Sequence, residues 1–109
     1  MSEQPEKFIS PEAPPEGIDR ELLTILAEEC CEVGQRVSKA LRFGLAEVQP
    51  GQSFTNAERI AEEVGDIFGV VDRLYARGIL RPSAVDRARL EKREKLRRFL
   101  QSEDPRHAD

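Results

Sequence analysis

Two pairs of acidic residues are the part of this sequence whose types and spacing could do chemistry. Glu29 and Glu32 stand three apart in one stretch of helical pattern, and Glu63 and Asp66 repeat the spacing in a second stretch. Residues three apart on a helix share a face, with Cβ atoms about 5–6 Å from each other. Each pair should therefore present two carboxylates side by side.

The apolar residues around these acids indicate where the carboxylates point. One apolar row passes through Glu29 and another through Glu63, so the acids should lie on or beside packing faces. An unpaired charge in such a place is costly, and a divalent cation with oxygen ligands would compensate it. The alternative is that the acids are solvated or paired with basic residues and hold no metal. The rows consist of Leu22, Leu26, Val33 and Val37, and of Ile60, Val64, Ile67, Val71 and Leu74.

The identity of that cation follows from the ligand types. Carboxylate sites in helical bundles that hold iron use Glu-x-x-His units, whereas the only histidine here, His107, stands in the polar tail. An all-carboxylate set favours Mg²⁺, with Mn²⁺ as a substitute. The sequence thus predicts an oxygen-ligated Mg²⁺ site rather than an iron site.

Basic residues near the acids could bind phosphate. Lys39 and Arg42 follow Glu32 on the same predicted helix, and Lys95 and Arg98 stand in a third helical stretch. Mg²⁺ commonly completes its coordination with substrate phosphates, whose oxygens ammonium and guanidinium groups can hold. We therefore interpret these four as candidate phosphate-binding residues. Their alternative role is solubility and pairing with nearby glutamates.

Periodicity, capping residues and glycine stops predict three helices and an all-α chain. No strand-like alternation or repeat is present. We assign residues 18–101 to a helical domain, 1–17 to a flexible proline-rich arm and 102–109 to a polar tail. The predicted helices run from about Asp19 to Phe43, from Thr55 to Arg77 and from Ala84 to Gln101, with Asp19, Thr55 and Ser83 as N-terminal caps, Pro50-Gly51 as a loop turn and Gly44 and Gly78 as stops.

Composition narrows the class of protein. A chain of 109 residues is expected to form one domain, and so small a core favours oligomerisation. The net charge of −4 argues against a nucleic-acid polymer as partner. The longest apolar run is too short to span a membrane, and the first residues lack a signal-peptide core.

The two cysteines, Cys30 and Cys31, are adjacent and lack zinc-site spacing. Neighbours on a helix point about 100° apart, so we expect small buried or boundary residues in a reducing compartment. Together with the lack of a signal peptide, this predicts a cytoplasmic protein.

The acidic motifs also carry a family resemblance. Glu28-Glu29-x-x-Glu32 followed by Glu62-Glu63-x-x-Asp66 resembles the signature of the MazG-like all-α nucleotide pyrophosphohydrolase superfamily, which includes dimeric dUTPases and phosphoribosyl-ATP pyrophosphohydrolase. The resemblance covers roughly residues 20–100. Residues 39–44 are similar to a segment of small phage and bacterial members, and residues 95–99 to the basic-aromatic segment that closes many MazG domains. It implies a bundle of three or four helices per chain, completed by oligomerisation.

The resemblance implies a reaction as well. Family members cleave a (d)NTP between the α- and β-phosphates with Mg²⁺, giving (d)NMP and pyrophosphate, as homodimers or homotetramers. The small phage-like members that it resembles favour a purine dNTP such as dGTP or dATP among the possible substrates. Two alternatives stay open: the same site acting on dUTP or phosphoribosyl-ATP, or a non-catalytic metal-binding module for helical oligomerisation or regulation. Carried over by position, the metal ligands are Glu29, Glu32, Glu63 and Asp66. One of these acids, or the neighbouring Glu28, would orient or deprotonate the attacking water; the candidates are Glu28, Glu29 and Glu32, with Glu62 a weaker one.

Overall fold

The computed structural model describes residues 13–102, and residues 1–12 and 103–109 lie outside that range. Between these limits the chain is all-helical, as predicted, without a strand and with one isolated antiparallel bridge between Val48 and Thr55. Most of the predicted arm and tail falls outside the described residues. The helices are α1, Gly17–Phe43, α2, Asn56–Ala76, and α3, Pro82–Phe99.

The chain forms two compact units that divide within α2, the first ending at Val70 and the second beginning at Val71. The first unit contains α1, the connecting loop and most of α2. The second contains the end of α2 and all of α3. None of these three helices is long and apolar enough to cross a membrane.

The ends of α1 show one correct and one wrong prediction. Gly44 ends the helix with φ 100°, and its N–H donates to the Ala40 carbonyl at 2.8 Å. At the other end, Asp19 was predicted as the cap, but the helix starts earlier and Asp19 lies in its first turn. The Arg20 N–H donates to the Glu16 carbonyl at 3.4 Å, which closes the first turn without a capping side chain. An acid inside the first turn still interacts favourably with the helix dipole.

The start of α2 is the capping box predicted from the sequence. The Thr55 hydroxyl accepts a hydrogen bond from the Glu58 N–H at 3.1 Å, and the Glu58 carboxylate accepts one from the Thr55 N–H at 2.8 Å. The two residues thus satisfy each other's free backbone donors. This box fixes the residue at which α2 begins.

The loop that joins α1 to α2 is held by the side chain of Asn56, which is only 2% exposed. Its amide donates to the Gly44 carbonyl at 2.9 Å and to the Glu47 carboxylate at 3.1 Å. The predicted Pro50-Gly51 turn is present. Gly51 has φ 79°, and the Gln52 N–H donates a hydrogen bond to the Gln49 carbonyl at 3.0 Å. Asn56 therefore ties the beginning of α2 to the end of α1.

The boundaries of α3 differ from the prediction at both ends. Gly78, with φ 75°, follows the end of α2 as predicted. The helix then begins at Pro82, and Ser83 lies in its first turn rather than acting as the cap. Proline suits the first helical position because its missing N–H would have no partner there. The helix ends at Phe99, two residues before the predicted end.

Little of the described chain is fully buried. The buried hydrophobic residues are Leu22, Ala40 and Leu74, and the buried polar ones are Asn56 and Glu63. The remaining residues of the two predicted apolar rows are half-buried. Eleven large hydrophobic side chains are exposed, namely Ile18, Leu41, Phe43, Leu45, Val48, Phe54, Phe68, Leu90, Leu96, Phe99 and Leu100.

The capping box yields a stability prediction. Thr55→Ala removes the hydroxyl that accepts the Glu58 N–H, and we expect it to lower the free energy of unfolding by about 1 kcal/mol. Urea unfolding followed by circular dichroism measures the loss. Ser53→Ala removes a neighbouring exposed hydroxyl and is the matched control. Equal losses in the two variants would contradict a capping role.

Candidate metal centre

Three of the four predicted ligand carboxylates meet between α1 and α2. One carboxylate oxygen each from Glu29, Glu63 and Asp66 lies within 4.8 Å of the other two. Glu63 is only 8% exposed, Glu29 is half-buried and Asp66 is exposed. The cluster thus runs from the helix packing face out to solvent. We call these three residues the carboxylate cluster.

The fourth predicted ligand, Glu32, is not among these three. Its carboxylate lies 3.8 Å from the Arg36 guanidinium, Oε1 to Nη2, and its side chain is 48% exposed. Glu32 is one turn before Arg36 on α1, a spacing at which ion pairs commonly form. The structure therefore links Glu32 to the site through this arginine.

Arg36 is the residue that the sequence interpretation missed. Its Nε lies 3.4 Å from Glu63 Oε2, and its side chain is 20% exposed. Seven residues are close to two full helical turns, so Arg36 lies only about 20° around α1 from Glu29. The signal was in the sequence: a basic residue four positions after Glu32 and seven after Glu29 belongs to the same face. Part of the charge compensation expected from a cation comes from the chain itself.

The connecting loop explains why Arg36 meets Glu63. The Asn56 side-chain amide donates a hydrogen bond to the Gly44 carbonyl, and from that contact α1 and α2 run antiparallel. Arg36 lies eight residues before Gly44 and Glu63 lies seven after Asn56. At 1.5 Å per residue both are about 11 Å from the contact, which places them at the same height.

The pair between Arg36 and Glu63 is poorly optimised as a structural salt bridge. The Nε atom is buried, yet within the described part of the chain it makes no hydrogen bond, although Glu63 is within ion-pair distance. A buried donor without a hydrogen bond costs about 1–3 kcal/mol. The geometry satisfies the charge of Glu63 but leaves the donor capacity of Arg36 partly unused.

The carboxylate cluster suits a hard divalent cation in its chemistry. All its donors are oxygens, the ligand type that Mg²⁺ and Mn²⁺ prefer. Neighbouring ligands of an octahedral Mg²⁺ are about 3 Å apart, because each Mg–O distance is about 2.1 Å. Oxygens within 4.8 Å of one another can reach that spacing by small side-chain rotations. The residues present therefore fit the ion.

The predicted phosphate-binding residues of α1 lie on one open face of that helix. Lys39 and Arg42 share this face with Gly34 and Ser38, and the Arg42 guanidinium lies 4.9 Å from the centre of the Phe43 ring. Lys39 is about 20° around α1 from Glu32, whereas Arg42 is about 140° from Glu29. Lys39 is thus on the side of Glu32, and Arg42 is turned further away.

The predicted basic residues of α3 lie in the second unit. Lys95 and Arg98 are exposed. The Arg98 guanidinium lies 3.6 Å from the Glu94 carboxylate and 5.1 Å from the centre of the Phe99 ring. Arg97 donates two hydrogen bonds to the same carboxylate, at 3.1 and 2.6 Å. Arg98 therefore shows the local pairing that was the alternative to phosphate binding.

The other residues singled out in the sequence are at the surface. Glu28 and Glu62 are exposed, as are the two cysteines, Cys30 and Cys31. The prediction that the cysteines are buried or at the boundary of the core is therefore wrong. They follow Glu29 by one and two positions, and rotation of about 100° per residue turns them away from its packing face.

Comparisons with known proteins identify no relative. A scan against protein-family models, a search of curated proteins and a search of solved structures each find no match to this chain.

The hydrogen bonds that Arg97 donates hold the pKa of the Glu94 carboxyl below its ordinary value, and the charges of Arg97 and Arg98 act in the same direction. A depressed folded-state pKa stabilises the fold above the ordinary carboxyl pKa, and that stabilisation is lost as the pH falls through the folded-state value. We expect NMR titration of the Glu94 carboxyl to show the low value. Arg97→Gln should raise it more than the control Arg98→Gln, and equal shifts would contradict the assignment.

Proposed function

We propose that this protein is a Mg²⁺-dependent nucleoside triphosphate pyrophosphohydrolase that converts a (d)NTP and water to (d)NMP and pyrophosphate. The observation that supports it best is the convergence of Glu29, Glu63 and Asp66 from two helices. The resemblance of the paired acidic motifs to MazG-like enzymes agrees with this geometry. A purine substrate such as dGTP or dATP belongs to the same proposal.

The residues of the first unit divide the work of this reaction. Glu29, Glu63 and Asp66 would hold the ion, and Glu32 is the fourth proposed ligand. A bound Mg²⁺ would supply Lewis-acid polarisation of the phosphoryl oxygens. An acid of the first motif, Glu28, Glu29 or Glu32, orients the attacking water and accepts its proton. The attack on the α-phosphorus then releases pyrophosphate.

We assign phosphate binding to four basic residues, of which Lys39 is half-buried and the other three are exposed. Lys39 and Arg42 lie on one open face of α1, and Lys95 and Arg98 belong to α3. Ammonium and guanidinium groups stabilise the charge that develops on the leaving pyrophosphate. Lys39 is the best placed of the two on α1, because it is on the side of Glu32. The proposed compartment is the cytoplasm, where the exposed, free Cys30 and Cys31 would stay reduced.

We place the reaction in a MazG-like bundle completed as a homodimer or homotetramer. Among residues 13–102, only three hydrophobic residues are buried, against eleven large ones that are exposed. Soluble monomers seldom leave so much apolar surface uncovered. The charges support self-association too: residues 13–70 carry eleven acidic and five basic side chains, and residues 71–102 carry four acidic and ten basic ones. Opposite surpluses of this kind allow a second copy to pair with the first.

A metal-binding module without turnover is the second candidate. It is favoured by one observation, the Arg36 guanidinium beside Glu63, because that charge already balances part of the cluster without an ion. The same site acting on dUTP or phosphoribosyl-ATP is a change of substrate within the first proposal. Product analysis separates all three.

The reaction is tested by incubating the protein with Mg²⁺ and a panel of NTPs, dNTPs and phosphoribosyl-ATP, and by resolving the products chromatographically. We expect monophosphate and pyrophosphate, with turnover reduced about 100-fold or more in Glu63→Gln and Asp66→Asn. Asp72→Asn, at an exposed acid six residues after Asp66 on α2, is the matched control. Stepwise release of single phosphates would contradict the proposed cleavage position, and binding of Mg²⁺ without turnover would favour the module.

The quaternary structure gives a separate prediction. Light scattering after size exclusion should give two or four times the chain mass of 12.3 kDa. Leu41→Gln, at a side chain that is 82% exposed in the single chain, should weaken assembly if a second copy covers it. The mass of a single chain at all concentrations would contradict the oligomer.

A further inference from the structure

We propose that Arg36 is a resident counter-cation of the carboxylate cluster, which lowers the affinity of the site for a bare divalent ion and binds substrate phosphate once both are present. This inference rests on the proposed function and adds to it a specificity-determining residue. Nothing in the sequence motifs assigns Arg36 a role, whereas its contacts do.

The charge of Arg36 acts directly on the carboxylate cluster. The carboxylate cluster carries three negative charges, and the nearest basic group is the Arg36 guanidinium, 3.4 Å from Glu63 Oε2. A positive charge at this distance repels a divalent ion bound to the same carboxylates, and burial keeps solvent from screening it fully. Arg36 therefore reduces the affinity of the cluster for the ion alone.

The hydrogen-bond donors of Arg36 bear on phosphate binding. The buried Nε makes none with the described residues, and the contact to Glu32 at 3.8 Å is an ion pair too long for a hydrogen bond. The guanidinium has five N–H donors in a planar fork. Two nearby carboxylates thus lie within ion-pair distance of the guanidinium without accepting a hydrogen bond from it. A phosphate group can take up such a fork with two parallel hydrogen bonds.

The position of Arg36 on α1 places it beside the carboxylate cluster. Arg36 lies on the same face of α1 as Glu29, about 20° away around the helix axis. Of the basic residues on α1, Arg36 is the one that lies within ion-pair distance of a member of the carboxylate cluster. Phosphates bound at the cluster would lie beside this guanidinium, closer than they would lie to Arg42. The charge of Arg36 then favours the ion and the phosphate together over the ion by itself.

Substitution of Arg36 should change the affinity for a metal ion and the affinity for pyrophosphate in opposite directions. Arg36→Gln should bind Mn²⁺ alone about three- to tenfold tighter than the parent, measured by electron paramagnetic resonance of free Mn²⁺. The same variant should bind inorganic pyrophosphate in saturating Mg²⁺ about tenfold more weakly, measured by calorimetry. A role confined to structure would weaken both. Arg20→Gln, about 13 Å along α1 from Glu29, removes an equal charge and should change neither.

Arg36→Lys covers the case in which the glutamine variant does not fold. It keeps the charge and loses the planar fork, so its Mn²⁺ affinity should stay within about twofold of the parent while pyrophosphate binding falls. Equal losses of both would overturn the inference. The inference would also be overturned if the parent binds Mn²⁺ and Arg36→Gln binds it no more tightly. The proposed metal site would then still stand. If neither parent nor variant binds Mn²⁺, the metal site itself fails and the role of Arg36 fails with it.

Discussion

The burial of the Glu63 carboxylate is the constraint on which the rest of the first unit depends. Glu63 is only 8% exposed, and a carboxylate so far removed from water needs a partner. Arg36 provides one, and Glu29 and Asp66 turn the same position into a place where a cation would be stable. The buried charge of Glu63 is therefore an electrostatic cost to the packing of α1 against α2.

Side-chain hydrogen bonds at the loop decide which residues meet. Asn56 is almost fully buried and holds the Gly44 carbonyl, so it sets the point from which the two helices run back along each other. A slip by one residue would rotate α2 by about 100° and carry Glu63 off the packing face. The capping box at Thr55 and Glu58 fixes the same register from the other side. Local chemistry at the loop thus positions the carboxylates two turns away.

Sequence patterns predicted the helices well where a local signal decides the outcome. Gly44 and Gly78 stop helices because each adopts a positive φ, and the capping box forms among four consecutive residues. The caps assigned to Asp19 and Ser83 were wrong, because a capping side chain inside the first turn looks the same in sequence as one before it. Arg36 was missed because motif spacing was sought among the acids, and its partner Glu63 becomes a neighbour only through the loop.

The surroundings of Arg36 bear on the choice between a stabilising and a functional site. If selection acted on stability alone, an apolar side chain or a hydrogen-bonded pair would be expected where an acid and an arginine share a buried position. The described structure instead has an ion pair without a hydrogen bond, beside two further carboxylates that open to solvent. Such an arrangement is worth its cost to stability if a ligand completes it. A divalent ion would balance the acids and a phosphate would use the arginine, so a metal-bound polyphosphate meets both needs in one molecule.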